Sequence, residues 1–227
     1  YAFSYFIYLI ILENYMLQVK NLFVDLGGFR LTADFEIERG SLISIVGPSG
    51  AGKSTILNAL AGFIPLTSGV IKWNGSDITK LDPGLRPLSI LFQDYNLFSH
   101  LTVKDNIAIG LRPNLKLDDS ETEMVNSVIE EVGLSKFKFI KPFQLSGGQR
   151  TRVSLARSIV RSKPILLLDE AFSGLGPALR SEMIKLIKDK SIKEGITLIM
   201  VSHHIKDAIE LDQKVIFVND GETMKPT

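Results

Sequence analysis

The sequence predicts an α/β fold, a mostly parallel sheet with a helical region set into it. Three observations carry this. An apolar run, Leu42–Val46, leads into a glycine-rich loop and then a helical pattern, as in a strand–turn–helix unit. Strand signals return at Ile165–Leu168, Thr197–Val201 and Val215–Val218, with a helical stretch at about 178 to 190 between the first two. Between 94 and 160 the pattern becomes that of amphipathic helix.

The elements follow in order. Residues 1–15, beginning YAFSYFIYLIIL, are apolar and aromatic. They are shorter than the about 20 residues that span a bilayer, and they lack the basic start and small-residue cleavage site of a signal peptide. We read them as an extension outside the native domain, with a membrane-surface or partner-binding segment as the alternative. Residues 16–24 read as a strand. Leu31, Ala33, Phe35 and Ile37 alternate along a second strand, and Asp25 to Gly28 form the turn between them. Lys53–Ala61 reads as a helix stopped by Gly62. Ser120 and Glu123 make a capping-box pattern ahead of an apolar face of Met124, Val125, Val128, Ile129 and Val132, and Gly133 ends that helix. The expected organisation is a core of 16–93 and 161–221, an inserted helical part at 94–160, and a short tail at 222–227.

Composition narrows the function. The 227 residues carry 26 basic and 25 acidic side chains, so no basic excess argues for nucleic acid. With no cysteine, disulfides and thiolate metal sites are excluded.

The stretch GPSGAGKST, residues 47–55, meets the phosphate-loop pattern through Gly47, Gly52, Lys53 and Ser54. Gly47, Pro48, Ser49, Gly50, Ala51, Gly52, Lys53, Ser54 and Thr55 are the expected cofactor-binding residues, and the glycines let backbone N–H groups wrap the phosphates. Lys53 reaches the β- and γ-phosphates, and the Ser54 hydroxyl is a ligand for Mg²⁺. The loop alone leaves kinase, GTPase and ATPase open. ILLLDE, residues 165–170, is an apolar strand ending in two acids, which puts both carboxylates at the edge where α/β sheets bind ligands. Asp169 suits the Mg²⁺ shell, and Glu170 suits an attacking water. The guanine-reading N-K-x-D motif is absent.

A second glycine pair opens a helical pattern at LSGGQ, residues 145–149, with no lysine beside it. Such a match arises by chance in on the order of a few chains in ten thousand. LSGGQ after a phosphate loop, with ILLLDE close behind, resembles the ATP-binding cassette family of transporter ATPases. That resemblance implies a P-loop NTPase (RecA-like) core with an antiparallel β subdomain and an inserted α-helical signature subdomain. It implies ATP and Mg²⁺ as cofactors and a head-to-tail homodimer, in which Ser146, Gly147, Gly148 and Gln149 complete the partner's ATP site. The signature therefore needs no lysine of its own.

The resemblance carries further residues with it. Gln93, in ILFQDYN, matches the glutamine that contacts Mg²⁺ and the lytic water, and His203, in MVSHHIKDA, matches the histidine at the γ-phosphate. His204 is left to structure. Glu170, His203 and Gln93 are thus the expected catalytic set, and Ser54, Gln93 and Asp169 the expected metal ligands. The adenine-stacking aromatic falls near 23 to 26, where Phe23 is the candidate and Phe29 the substitute. Two positions depart from the family pattern. Gly176 stands where an aspartate is usual and Ala171 where a proline is usual, which puts turnover and coupling between sites in question.

The chain is a single cassette without long apolar runs, which suggests an importer subunit docked on a separate permease and served by a periplasmic binding protein. It would lie peripherally at the cytoplasmic face of a bacterial inner membrane. RPLSILFQDYNLFSHLTVKDNIAIGL and LLLDEAFSGLGPALRSEM resemble the ATP-binding subunits of bacterial thiamine importers most. Importers of iron, sulfate or polyamines, and a soluble or regulatory cassette with weak hydrolysis, are the alternatives.

Overall fold

The computed structural model describes residues 15–203, 205–211 and 214–224. Residues 1–14, most of the expected extension, and His204 lie outside the described residues. Ten strands form one sheet in the order β5-β4-β1-β2-β10-β9-β3-β8-β7-β6. One half of it is antiparallel: β1 (Tyr15–Asp25), β2 (Arg30–Glu38), β4 (Ser68–Trp73) and β5 (Ser76–Asp77). The other half is parallel: β3 (Leu42–Val46), β6 (Leu88–Leu91), β7 (Ile165–Asp169), β8 (Thr197–Val201) and β9 (Lys214–Asn219). The hairpin of β9 and β10 (Glu222–Thr223) joins the halves, because β10 also pairs with β2. The first two residues of the expected tail are therefore sheet residues.

Burial explains both halves. Along β2 the pattern alternates, with Leu31, Ala33, Phe35 and Ile37 buried and their neighbours turned outward. That is the period of a sheet covered on one face. In β7 and β8 Ile165–Leu168 and Thr197–Val201 are buried without alternation, as in a parallel strand covered on both faces. One apolar cluster joins the antiparallel half to helix α1 (Lys53–Ala61), and a second joins the opposite face to the helical insertion.

That insertion holds α2 (Val103–Ala108), α3 (Asp119–Glu131) and α4 (Gly147–Ile159). The expected capping box on Ser120 and Glu123 is corrected by two residues. Asp118 caps α3 by accepting from the Glu121 N–H at 2.8 Å, and the Glu121 carboxylate accepts from the Asp118 N–H at 3.1 Å. Both pairs share the spacing of a capping box, but an acidic cap also complements the positive end of the helix. Gly133 ends the helix as expected, in a left-handed conformation with φ 69°. Two further helices return to the core, α5 (Pro177–Glu194) and α6 (Ile205–Leu211).

A buried cation fixes the far end of α1. Arg86 is 3% exposed, and its guanidinium donates to the carbonyls of Ala59, Leu60, Thr79 and Leu81 at 2.7 to 3.0 Å. Burial pushes its pKa below the usual arginine value. The helix C-terminus offsets that cost, since its carbonyls favour positive charge.

Candidate functional site

The glycine loop leaves β3 and turns into α1 at Gly52, which has φ 104°. A side chain there would meet the Phe29 ring at 2.8 Å, so both conformation and space call for glycine. The start of α1 has no side-chain cap, and its first N–H groups, from Lys53, Ser54 and Thr55, have no partner within the helix. Such a terminus suits an anion. Pro48, Ser49 and Gly50 form the exposed outer arc, and Ala51 is buried beneath it. Gly47 lies against the last strands, where a Cβ would sit 2.0 Å from the Val218 carbonyl oxygen.

Lys53 is 6% exposed, and its ammonium donates to the carbonyls of Gly47 at 2.9 Å and Pro48 at 2.7 Å. The cation thus rests in the concave side of its own loop. The Ser54 hydroxyl donates to an Asp169 carboxylate oxygen at 2.7 Å, which joins α1 to the end of β7. Burial holds the Asp169 carboxyl above its usual value, and the charge of Glu170 adds to that. The Ser54 hydrogen bond and the charge of Lys53 pull the other way.

Glu170 has φ 46°, a left-handed conformation that costs energy for a residue other than glycine. Its N–H donates to the Val201 carbonyl at 3.1 Å, and its carbonyl accepts from the Ser173 N–H at 3.0 Å. The strained turn aims its carboxylate at the next strand end, where His203 Nδ1 lies 3.4 Å from Glu170 Oε2. Gln93 is exposed just beyond β6, whose Leu91 is paired with Leu168, so it follows the neighbouring strand end. Lys53, Ser54, Asp169, Glu170 and His203 are thus one connected cluster, with Gln93 on the adjacent strand.

The signature residues lie apart, on the helical insertion. Ser146 caps α4 by accepting from the Gln149 N–H at 3.3 Å, while the Gln149 side chain accepts from the Ser146 N–H at 2.8 Å. A Cβ on Gly148 would sit 2.3 Å from Leu179 Cδ2, so a side chain there would have to displace the end of that leucine on α5. A Cβ on Gly147 would meet Tyr95 Oη at an ordinary 4.0 Å, so nothing inside the subunit requires that glycine. Behind this turn Arg157 and Ser154 of α4 donate to the Tyr95 carbonyl at 2.9 and 3.0 Å, binding the segment after Gln93 to the signature helix.

The two aromatic candidates are placed differently. Phe23 lies within β1, paired with Thr32 and Ser68, whereas Phe29 packs on Gly52 of the loop. The turn explains the difference. Asp25 accepts from the Gly27 N–H at 2.8 Å, and Leu26 N–H donates to the Phe29 carbonyl at 3.0 Å, which folds Phe29 back toward the glycines. Phe29 lines a cavity of about 690 Å³ with Asp25, Gly28, Arg30, Gly50 and Asp220, a volume common for small-molecule sites.

A parallel sheet with a phosphate loop and two acids at its carboxyl edge defines a P-loop nucleotide hydrolase. Residues 32–173 match the ABC transporter family model. The chain is 46% identical to the thiamine import ATP-binding protein ThiQ of Ruegeria sp. (strain TM1040), covering 93% of this chain and 91% of that protein. It is 49% identical to the protein of the same name from Shigella flexneri serotype 5b (strain 8401), over 82% of this chain and 80% of the relative. Among solved structures, the ATP-binding cassette MJ0796, in a dimeric post-hydrolysis state bound to ADP and Pi, superposes with a TM-score of 0.80. It is 27% identical, with 93% of this chain and 98% of that one covered. The cassette MJ1267, in its ADP conformation, shares the fold at a TM-score of 0.84, with 93% of this chain and 90% of that one covered, at 23% identity. The chain belongs to the ABC transporter family, as its ATP-binding, ATP-hydrolysing component. No helix among the described residues is long and apolar enough to cross a membrane.

Proposed function

We propose that this chain energises thiamine import, working as a head-to-tail pair beneath a separate permease at the cytoplasmic face of a bacterial inner membrane. The observation that carries the cargo is the 46% identity to a thiamine import ATP-binding protein across 93% of the chain. A periplasmic binding protein and the permease would read the vitamin, so no residue here needs to touch it. A groove lined by Ile90, Asn96, Phe98, Leu111, Arg157 and Arg161 suits a docking segment of the permease.

The mechanism follows from the cluster. Lys53 exchanges its two carbonyl partners for β- and γ-phosphate oxygens as ATP enters. Ser54, Asp169 and Gln93 would hold Mg²⁺, and the hydroxyl and carboxylate already in contact form the hard oxygen set that such an ion takes. When bound, the ion would supply neutralisation of charge at the phosphates. Glu170 orients a water and accepts its proton as the water oxygen bonds to the γ-phosphorus and the bond to the β-phosphate oxygen breaks. His203, beside Glu170, holds the γ-phosphate in line. Ser146, Gly147, Gly148 and Gln149 of one subunit close over the ATP of the other. The room at Gly147 supports this reading, because among the described residues only Tyr95 Oη, at 4.0 Å, would approach a side chain there.

The test is uptake. In bacteria lacking their own thiamine importer ATPase, this chain with its permease and binding protein should restore labelled thiamine uptake, and Lys53→Ala should not. Restored uptake of iron, sulfate or a polyamine, with none of thiamine, would overturn the cargo.

A further inference from the structure

Three residues outside the expected catalytic set form a buried ionic network beside His203. Arg180 stands in the first turn of α5, its N–H bonded to the Gly176 carbonyl at 3.0 Å. Its Nε donates to Asp207 Oδ1 at 2.8 Å, and its Nη2 donates both to Asp207 Oδ2 and, at 3.2 Å, to the Ser202 hydroxyl. The Ser202 hydroxyl in turn donates to Asp207 Oδ2. The Arg180 side chain is 13% exposed and that of Asp207 5%. Ser202 lies between the end of β8 and His203, and Asp207 lies in the first turn of α6.

A buried ion pair is a poor way to gain stability, because desolvating both charges offsets most of their attraction. What the forked guanidinium does supply is orientation, since two parallel hydrogen bonds fix the plane of the carboxylate. Here that plane is shared with the hydroxyl of the residue before His203. The contacts close a ring. From Glu170 the chain passes through Ser173 to Gly176 and Arg180, then across Asp207 and Ser202 to His203, and back to Glu170 over 3.4 Å.

We propose that Arg180, Asp207 and Ser202 are positioning residues for hydrolysis, which set the His203 turn against Glu170 and tie it to the segment 173–176. This rests on the roles proposed above for Glu170 and His203. None of the three belongs to the residues proposed to hold phosphate or Mg²⁺, so their loss should act on turnover and leave ATP affinity alone.

The experiment measures kcat and KM for ATP, with melting temperature, in the assembled transporter. Ser202→Ala removes the bridge and keeps the ion pair. Arg180→Met combined with Asp207→Leu replaces the pair by apolar volume, an exchange that buried pairs often tolerate. Each should lower kcat about tenfold with KM within about twofold, a modest share of what small misplacements cost. Ser202→Thr, which keeps the hydroxyl, should retain parental kcat. In a His203→Ala background the same changes should alter kcat less than about twofold, because residues acting through one another are not additive. Parental kcat in Ser202→Ala, or an equal drop in both backgrounds, would overturn the proposal even if the ionic double variant fails to fold. If His203→Ala itself keeps parental kcat, the role of His203 fails first and the proposal with it.

Discussion

In the glycine loop the reactive groups already have partners within the subunit: Lys53 rests on two carbonyls and Ser54 on Asp169. At the signature turn Ser146 and Gln149 bond reciprocally, and an added Cβ at Gly147 would make only an ordinary contact, with Tyr95 Oη at 4.0 Å. On the roles proposed above, the first region exchanges contacts when nucleotide arrives, whereas the second keeps the backbone it already has. The proposed roles thus put hydrolytic chemistry in one region and shape in the other, and substitutions should separate the two.

The largest effect is expected in the first region. Glu170→Gln should lower kcat by about 10²- to 10⁴-fold, the range for loss of a general base. ATP should still bind, and the protein should accumulate as a closed dimer on a sizing column. Only monomer with ATP, where the parent dimerises, would contradict this division of labour.

A cross between the regions sharpens it. Ser146→Arg should block closure while leaving monomer ATP binding near parental. Lys53→Ala should weaken binding about 10- to 100-fold, from a charge-assisted contact of about 1.5–3 kcal/mol. Mixed together, the two proteins keep one composite site with both surfaces intact. Nucleotide-dependent heterodimers should appear where neither mutant pairs with itself, and their absence would break the head-to-tail arrangement.

Stability should follow the loop side without touching chemistry. Arg86→Met leaves carbonyls at the end of α1 without a donor, at a cost of about 3 kcal/mol. Calorimetry should record a melting temperature lower by about 6–12 °C, since each kcal/mol moves a domain of this size by roughly 2–4 °C. The KM for ATP at low temperature should be unchanged.

The smallest expected change lies between the regions. Gly176 caps α5 without a side chain, in an extended conformation with nothing within 4 Å of an added Cβ. Gly176→Asp therefore fits, and it adds a cap worth a few tenths of a kcal/mol over glycine. We expect turnover in the assembled transporter to rise with nucleotide affinity little changed, because only contacts specific to the closed state shift that equilibrium. Equal or lower turnover would mean that the glycine is tolerated.

Much of this was legible before any coordinates. The loop at 47–55, the acids after ILLL and the LSGGQ turn are local, with strict spacing, and their residues need only their neighbours. What stayed hidden depends on distant parts of the chain. Arg86 draws its partners from a helix end over twenty residues away, and Arg180 meets Asp207 across the return of the chain through β8. Nothing in residues 62–93 announced the strands β4, β5 and β6, since runs of two to six residues carry weak periodicity. Phe23 attracted attention by its place in the sequence, while the turn at Gly27 delivers Phe29 to the loop.

The contact between the glycine loop and the β9–β10 hairpin has a consequence for synthesis. Ala51 accepts a hydrogen bond from the Gly221 N–H at 3.1 Å, and Gly47 packs on the Val218 carbonyl. These partners are separated by most of the chain, so the loop emerges from the ribosome long before the strand that backs it. Contacts of such sequence separation form late. Until the hairpin docks, GPSGAGKST has its residues but lacks one wall, and a nascent chain cannot hold its nucleotide in the finished way. ATP binding should therefore follow completion of the sheet, once its end has closed over the beginning of the loop.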